Sequence, residues 1–340
     1  MAQVSFHTSQ RARKVGPAMA VADGDSLPPW EYYQTYFGHE PQHLERVLAA
    51  LRAGKEGSGH AEPVVFFAGD STLDNKHWLF QGENKTEPGK YLDDRWSAEA
   101  VGAYAKVFEP PRMIKDVAFW LTAAGRGSGG PGFSALNTAV EESTIEGRSK
   151  CLTVQDMFIR DNITSNDILV LSVGGNDVAL KPSPATQAAV MKLMSGKRAE
   201  AMAYFEHMFR DDMQDFVASL VSKAKPRAVI VCMLYFLDES QDQAGFADLT
   251  LARLGYNENP DFLQGIIRAV YEAAVKRIRL DGTEVIPFPM FEVLDGKDTR
   301  DYIARVEPSV AGGEKMAYAL AARIREVLVA TGHGGAEELS

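Results

Sequence analysis

The chain has 340 residues, 45% of them hydrophobic and 24% charged, which is ample apolar material for one large α/β domain or two smaller ones. A formal net charge of −10 argues against nucleic acid or an anionic membrane surface as a partner. Two cysteines, Cys151 and Cys232, supply neither a disulfide framework nor a metal motif, and no apolar run is long enough to span a bilayer.

Residues 1–28 read as a leader, basic, with no acid before Asp23 and without the apolar middle of a secretory signal. It is either a disordered leader or an organelle transit peptide, and the expected location is otherwise cytoplasmic, in keeping with the sparse cysteines. Residues 29–59 form an N-terminal helical extension in which Trp30 to Arg52 carries apolar residues at helical spacing, ending in a glycine. "GKEGSGHAEP" is a loop. "VVFFA", Val64 to Ala68, is then a continuous apolar run, the pattern of a strand covered on both faces.

Four more such runs follow within a domain of residues 60–331: "FSALNTAV" ending at Val140, "DILVLSVGG" from Asp167, "AVIVCMLYF" from Ala228 and "EVIPFPMF" from Glu284. Helical spacing separates the later ones, over Thr153–Asp161, Ala185–Lys223, Asp261–Leu280 and Gly313–Thr331. Alternating strands and helices predict a mainly parallel five-stranded sheet with helices on both faces, a three-layer α/β/α fold. "GRGSGGPG", Gly125 to Gly132, precedes its strand instead of following it, so it reads as a flexible surface loop and not a phosphate cradle. Residues 332–340 read as a disordered tail. Cys232 sits in an apolar strand and reads as a core thiol.

Ligands of such sheets bind beyond the carboxyl ends of the strands, and three polar segments lie there. After the first run comes Gly69-Asp70-Ser71-Thr72-Leu73-Asp74-Asn75. Gly69 permits a sharp turn, and Ser71 then heads the next element as an exposed hydroxyl or as a helix cap. After the second run comes Asn137-Thr138-Ala139-Val140, where the Ala139 N–H is a candidate donor. After the third comes Gly174-Gly175-Asn176-Asp177, with the Asn176 amide as another. A serine with several N–H donors at neighbouring strand ends is what acyl transfer requires.

These segments, in this order, resemble the SGNH hydrolases, the GDSL esterases and lipases: GDSxxDN follows the first strand and GGND a later one. The resemblance spans about residues 60 to 330. It implies a flavodoxin-like α/β/α fold, no cofactor or metal, and hydrolysis of a small-molecule carboxylic ester, acyl or acetyl. Carried over, it implies Ser71 as nucleophile and Asn176 as oxyanion donor together with the Ser71 amide. Ala139 then stands where the family usually has a glycine.

One block departs from the pattern. The family's last motif resembles Asp-x-x-His-Pro-Ser-x-x-Gly, and the matching stretch here is Ala304-Arg305-Val306-Glu307-Pro308-Ser309-Val310-Ala311-Gly312. Glu307 occupies the histidine position and Ala304 the aspartate position. A solvated glutamate titrates near ~4.3 and is a weak base; burial away from cations raises it. Three versions follow: Glu307 as base of an atypical serine esterase, a histidine from elsewhere (His39, His43, His60, His77 or His207) completing the site, or a silent module that binds an ester without turning it over. Transfer to an acceptor instead of water is a further variant. Asp295, Asp298 and Asp301 offer acids before the last block or belong to a solvated loop. Lys76–Trp96 and Lys181–Arg198 are expected to border the pocket.

Overall fold

The computed structural model describes residues 26–53, 62–79, 93–127, 130–243 and 245–332. Helices α1 (Pro29–Tyr33) and α2 (Pro41–Ala53) lead into strand β1 (Val64–Gly69) and the single turn α3 (Lys76–Leu79). A small antiparallel hairpin of β2 (Ser97–Glu99) and β3 (Arg112–Ile114) encloses α4 (Tyr104–Val107). Next come α5 (Val117–Arg126), β4 (Ser134–Asn137), α6 (Ile145–Lys150), α7 (Val154–Asn162) and β5 (Ile168–Ser172). Helices α8 (Gly175–Ala179), α9 (Pro184–Met194), α10 (Arg198–His207) and α11 (Met213–Leu220) precede β6 (Ala228–Met233). Helices α12 (Asp248–Arg253) and α13 (Pro260–Ala273) precede β7 (Glu284–Pro289). The two-residue strands β8 (Tyr302–Ile303) and β9 (Glu307–Pro308) and the long helix α14 (Val310–Gly332) finish the fold.

The central sheet has five strands, all parallel, in the order β4-β1-β5-β6-β7. Counted along the chain that order is second-first-third-fourth-fifth, the flavodoxin-like arrangement, whose switch point lies beside the first strand. Alternate residues of each strand face opposite helical layers. Val65, Phe67, Val170, Ile230 and Cys232 pack under α5 and α14. Phe66, Ala68, Leu169, Leu171, Val229 and Val231 pack under α2, α7, α11 and α13. Both faces are dry, which is why these strands read as unbroken apolar runs. The edge strand β7 carries Pro287 and Pro289, residues that withhold a ladder N–H and suit an edge.

The expected three-layer fold is present, and several local expectations are corrected. The helix expected over Trp30–Arg52 is two helices. Gly38 breaks it at φ 74, pressed against the Gln155 side chain and the Ala139 carbonyl, and Pro41 starts α2. The expected run Ala185–Lys223 is broken after Met194, where Gly196 takes φ 81, and again by a π turn at Met208–Asp212. Gly125, expected in a loop, belongs to α5; a Cβ there would lie 2.3 Å from the Phe133 carbonyl oxygen. Residues 128–129 of that loop, residues 54–61 of "GKEGSGHAEP", the tail from 333 and most of the expected leader lie outside the described residues. Among the described residues no helix is long and apolar enough to cross a membrane.

Candidate active site

β1 ends in a turn that few residues could make. A Cβ on Gly69 would sit 2.3 Å from the Ser172 carbonyl oxygen of the neighbouring strand. With that space kept clear, the Gly69 carbonyl accepts from Val140 N (2.8 Å), Ser143 Oγ (3.1 Å) and Arg148 Nη1 (2.6 Å). Arg148 itself is buried and paired with Asp156. Three donors on one carbonyl fix the strand end against the loop after β4.

Asp70, not Ser71, caps the turn that follows. Asp70 Oδ1 accepts from Thr72 N (3.0 Å), and the Asp70 carbonyl accepts from Leu73 N (3.1 Å) and Asp74 N (3.0 Å). That leaves Ser71 free of capping duty. Its residue is only 5% exposed, and its own N–H has no partner among the described residues. Asp74 accepts from Lys76 Nζ (2.6 and 2.7 Å) and Asn137 Nδ2 (3.2 Å), so the motif's second acid is structural.

Glu307 arrives from the opposite end of the chain. The hairpin β8–β9 turns through Ala304 (φ 49) and Arg305 (φ 71), both left-handed and neither a glycine. The buried Arg305 guanidinium holds that turn by donating to Asn257 Oδ1 (2.9 Å) and the Asp238 carbonyl (3.2 Å). Tyr235 Oη donates to the Val306 carbonyl (2.6 Å), and Asn75 Nδ2 donates to the Pro308 carbonyl (3.1 Å). Glu307 is therefore gripped on both sides. It is 6% exposed, and its carboxyl lines the same pocket as the Ser71 side chain.

Asn176 reaches the same place from β5. Gly174 adopts φ 121, with Phe209 of the π turn packed where a Cβ would stand. Asn176 Nδ2 donates one hydrogen to the Ser143 carbonyl (3.1 Å), which orients the amide and leaves its second hydrogen available. The neighbouring Asp177 accepts from the amides of Ile145 (2.8 Å) and Glu146 (3.0 Å), pinning the start of α6.

Ala139 does not join them. It is fully buried, and its N–H is spent on Asn137 Oδ1 (3.1 Å), a local turn that closes on itself. Among the described histidines none lines the pocket with Ser71. His39 lies buried against Tyr32, with Nδ1 2.7 Å from the Tyr32 carbonyl oxygen, and His43 packs near the same ring. His77 packs edge-on against Tyr36, and His207 pairs with Asp211 on the surface. His60 lies outside the described residues. Asp298 and Asp301 pair with Lys315, Asp295 accepts from the Lys297 amide, and none of the three lines the pocket with Ser71.

Ser71, Asn176 and Glu307 line one pocket of about 180 Å³, together with Asp70, Thr72 and Tyr235. Solved lipases and esterases are similar to this chain. A lipase from a goat rumen metagenome is 11% identical, with a TM-score of 0.46, over 77% of this chain and 98% of that one. An extracellular lipase from Streptomyces rimosus is 13% identical, with a TM-score of 0.42, over 77% and 99%. Est24, a carbohydrate acetylesterase from Sinorhizobium meliloti, is 12% identical, with a TM-score of 0.40, over 77% and 98%. No family model and no curated protein matches the chain. Likeness at this level says nothing about which residue does what, so the chemistry has to come from the site.

The site is an electrostatic oddity. Glu141, Asp70 and Glu307 are buried, and each has one carboxyl oxygen without a partner among the described residues. The nearby cations are already spent, Lys76 on Asp74 and Arg148 on Asp156. Burial pushes Glu307 well above the usual carboxylate range; the nearby Ser71 hydroxyl opposes this, and the Asp70 charge adds to it. Burial raises Glu141 too, with the Glu307 charge next in weight. Asp70 is pushed up to about 6, again mainly by burial. A raised carboxyl beside a serine is a better base than a solvated one, since proton transfer works best near the operating pH.

Sequence reasoning did not find Glu141, Asn75 or Arg305. Asn75 lay inside the recognised motif, yet its bond to Pro308 ties the Ser71 loop to the strand carrying Glu307. Nothing near Glu141 in sequence signals that it shares a buried site with Glu307. Among the described residues no group of three or more His, Cys, Asp or Glu is placed to hold a metal ion.

Proposed function

We propose that this chain is a serine ester hydrolase of the SGNH type in which Glu307 stands in for the usual histidine. One observation carries the reading: the Ser71 hydroxyl, the raised Glu307 carboxyl and the Asn176 amide line one pocket. Ser71 Oγ attacks the ester carbonyl carbon while Glu307 takes the hydroxyl proton. The oxyanion then receives the second Nδ2 hydrogen of Asn176 and the unpartnered Ser71 N–H. Collapse of the tetrahedral species expels the alcohol, which takes the proton back from Glu307. Water, deprotonated by Glu307, attacks the acyl-serine; as the second tetrahedral species collapses, Ser71 Oγ takes the proton back from Glu307 and the acid leaves.

A carboxylate base needs no third residue to set its tautomer, which accounts for Ala304 in place of an aspartate. Rigidity of the hairpin replaces orientation by a partner. General-base help of this kind contributes about 10²–10⁴-fold, and one oxyanion donor about 10²–10³-fold. Turnover of p-nitrophenyl butyrate tests the assignment. Ser71→Ala is expected to abolish it, and Asn176→Ala to lower kcat by about 10²-fold or more. Absence of turnover by the wild-type protein between pH 5 and 9 would leave a module that binds esters without cleaving them.

A further inference from the structure

The pocket beyond the reacting groups is apolar throughout its depth. From Asn176 it runs between α9, α10, the π turn and α13, walled by Val190, Leu193, Phe205, Phe209, Ile266 and Val270. All but Val190 are buried. Apart from Thr250, its polar side chains belong to the group around Ser71, and no Lys, Arg or His lines it. Such walls offer no partner to a sugar hydroxyl or a phosphate, and burying one there unpaired is costly.

Resting on the ester-hydrolase reading above, we infer that this pocket takes the acyl chain of the substrate, a straight alkyl chain of medium length. At the ~30 Å³ that a water-sized group occupies, about 180 Å³ holds roughly six methylenes. The acyl side fits better than the alcohol side for a mechanistic reason. The alcohol must depart after the first step, whereas the acyl group stays bonded to Ser71 and can remain lodged among buried helices. The π turn contributes directly. It sets Phe209 against Gly174, so the wall of the chain pocket also backs the loop that presents Asn176.

The test is a series of p-nitrophenyl esters from acetate to decanoate, each at a concentration below aggregation. Burial predicts that kcat/KM rises about fourfold per added methylene and levels off near octanoate. Val190 is only half buried, so Val190→Trp can fill the pocket without disturbing the sheet; Leu263→Trp, also half buried on α13, serves as a second block. Either variant is expected to lower the ratio of octanoate to acetate kcat/KM by tenfold or more. A Ser71-dependent enzyme that prefers acetate, or whose preference follows alcohol length in a series of alkyl acetates, would overturn the acyl assignment while leaving the hydrolase reading standing. Failure to cleave any ester in the series would overturn both.

Discussion

At the scale of single residues, the reading turns on a carboxyl doing the work usual for an imidazole. Glu307 must be ionised to act, and its titration is raised by burial and by Asp70. The expected kcat/KM therefore climbs with pH along a limb well above ~4.3, where a free glutamate would already be fully active. A limb at ordinary carboxylate pH would remove Glu307 from the role. Glu141 tests the same electrostatics through stability. Its carboxyl is raised, so the folded chain keeps a proton that the unfolded chain has released, and stability falls as pH rises through the folded value. The cost is about 1.4 kcal/mol for each pH unit over which that proton is held. Glu141→Gln removes it. Urea unfolding at pH 6 and pH 9 is expected to show a smaller alkaline loss in the variant than in the wild type, and equal losses would contradict the burial argument. Of the four site residues the sequence singled out, Ser71, Asn176 and Glu307 share the pocket. Ala139 fails because the Asn137 side chain takes its N–H, a local choice that residue type alone does not reveal.

At the scale of elements, the proposed role of Glu307 depends on the hairpin β8–β9. Two left-handed residues in succession cost of order 1–3 kcal/mol each and persist because Arg305 is locked into Asn257 and Asp238. Arg305→Met is expected to let the turn relax and move Glu307 off line. Since an ångström of misplacement costs about 10²-fold, kcat should fall on that scale with KM for a short ester nearly unchanged. Parallel losses in kcat and in the folded fraction would instead mark Arg305 as a stability residue only. The strands were legible in the sequence because both faces of β1, β5 and β6 are covered, leaving unbroken apolar runs. α5 was not, because its C-terminal turn merges into a glycine-rich stretch that reads as loop. The breaks at Gly38 and Gly196 were hidden for a different reason: helical periodicity continues across both, and only the left-handed backbone shows the interruption.

At the scale of the molecule, the chain buries more acid than it neutralises. Asp70, Asp116, Glu141 and Glu307 are all raised mainly by burial, Asp116 to about 7. His39 works in the opposite sense: its buried ring is held neutral, so its contribution is lost as pH falls below ~6.5. Above that value the raised carboxyls of Glu307 and Glu141 titrate toward instability. Thermal unfolding should give a melting temperature that declines steadily from about pH 7 to pH 9, and a flat profile would contradict the buried-acid picture. The sheet order sets all this in place, since it brings the ends of β1 and β5 together at the switch point and lets the C-terminal hairpin fold across them. The most direct test of the central claim is fluorophosphonate labelling followed by intact mass and peptide mapping at pH 8. The account predicts one adduct on Ser71 in the wild-type protein and a labelling rate at least about 10²-fold lower in folded Glu307→Gln. An unchanged rate in that variant, or an adduct on any other residue, would contradict it.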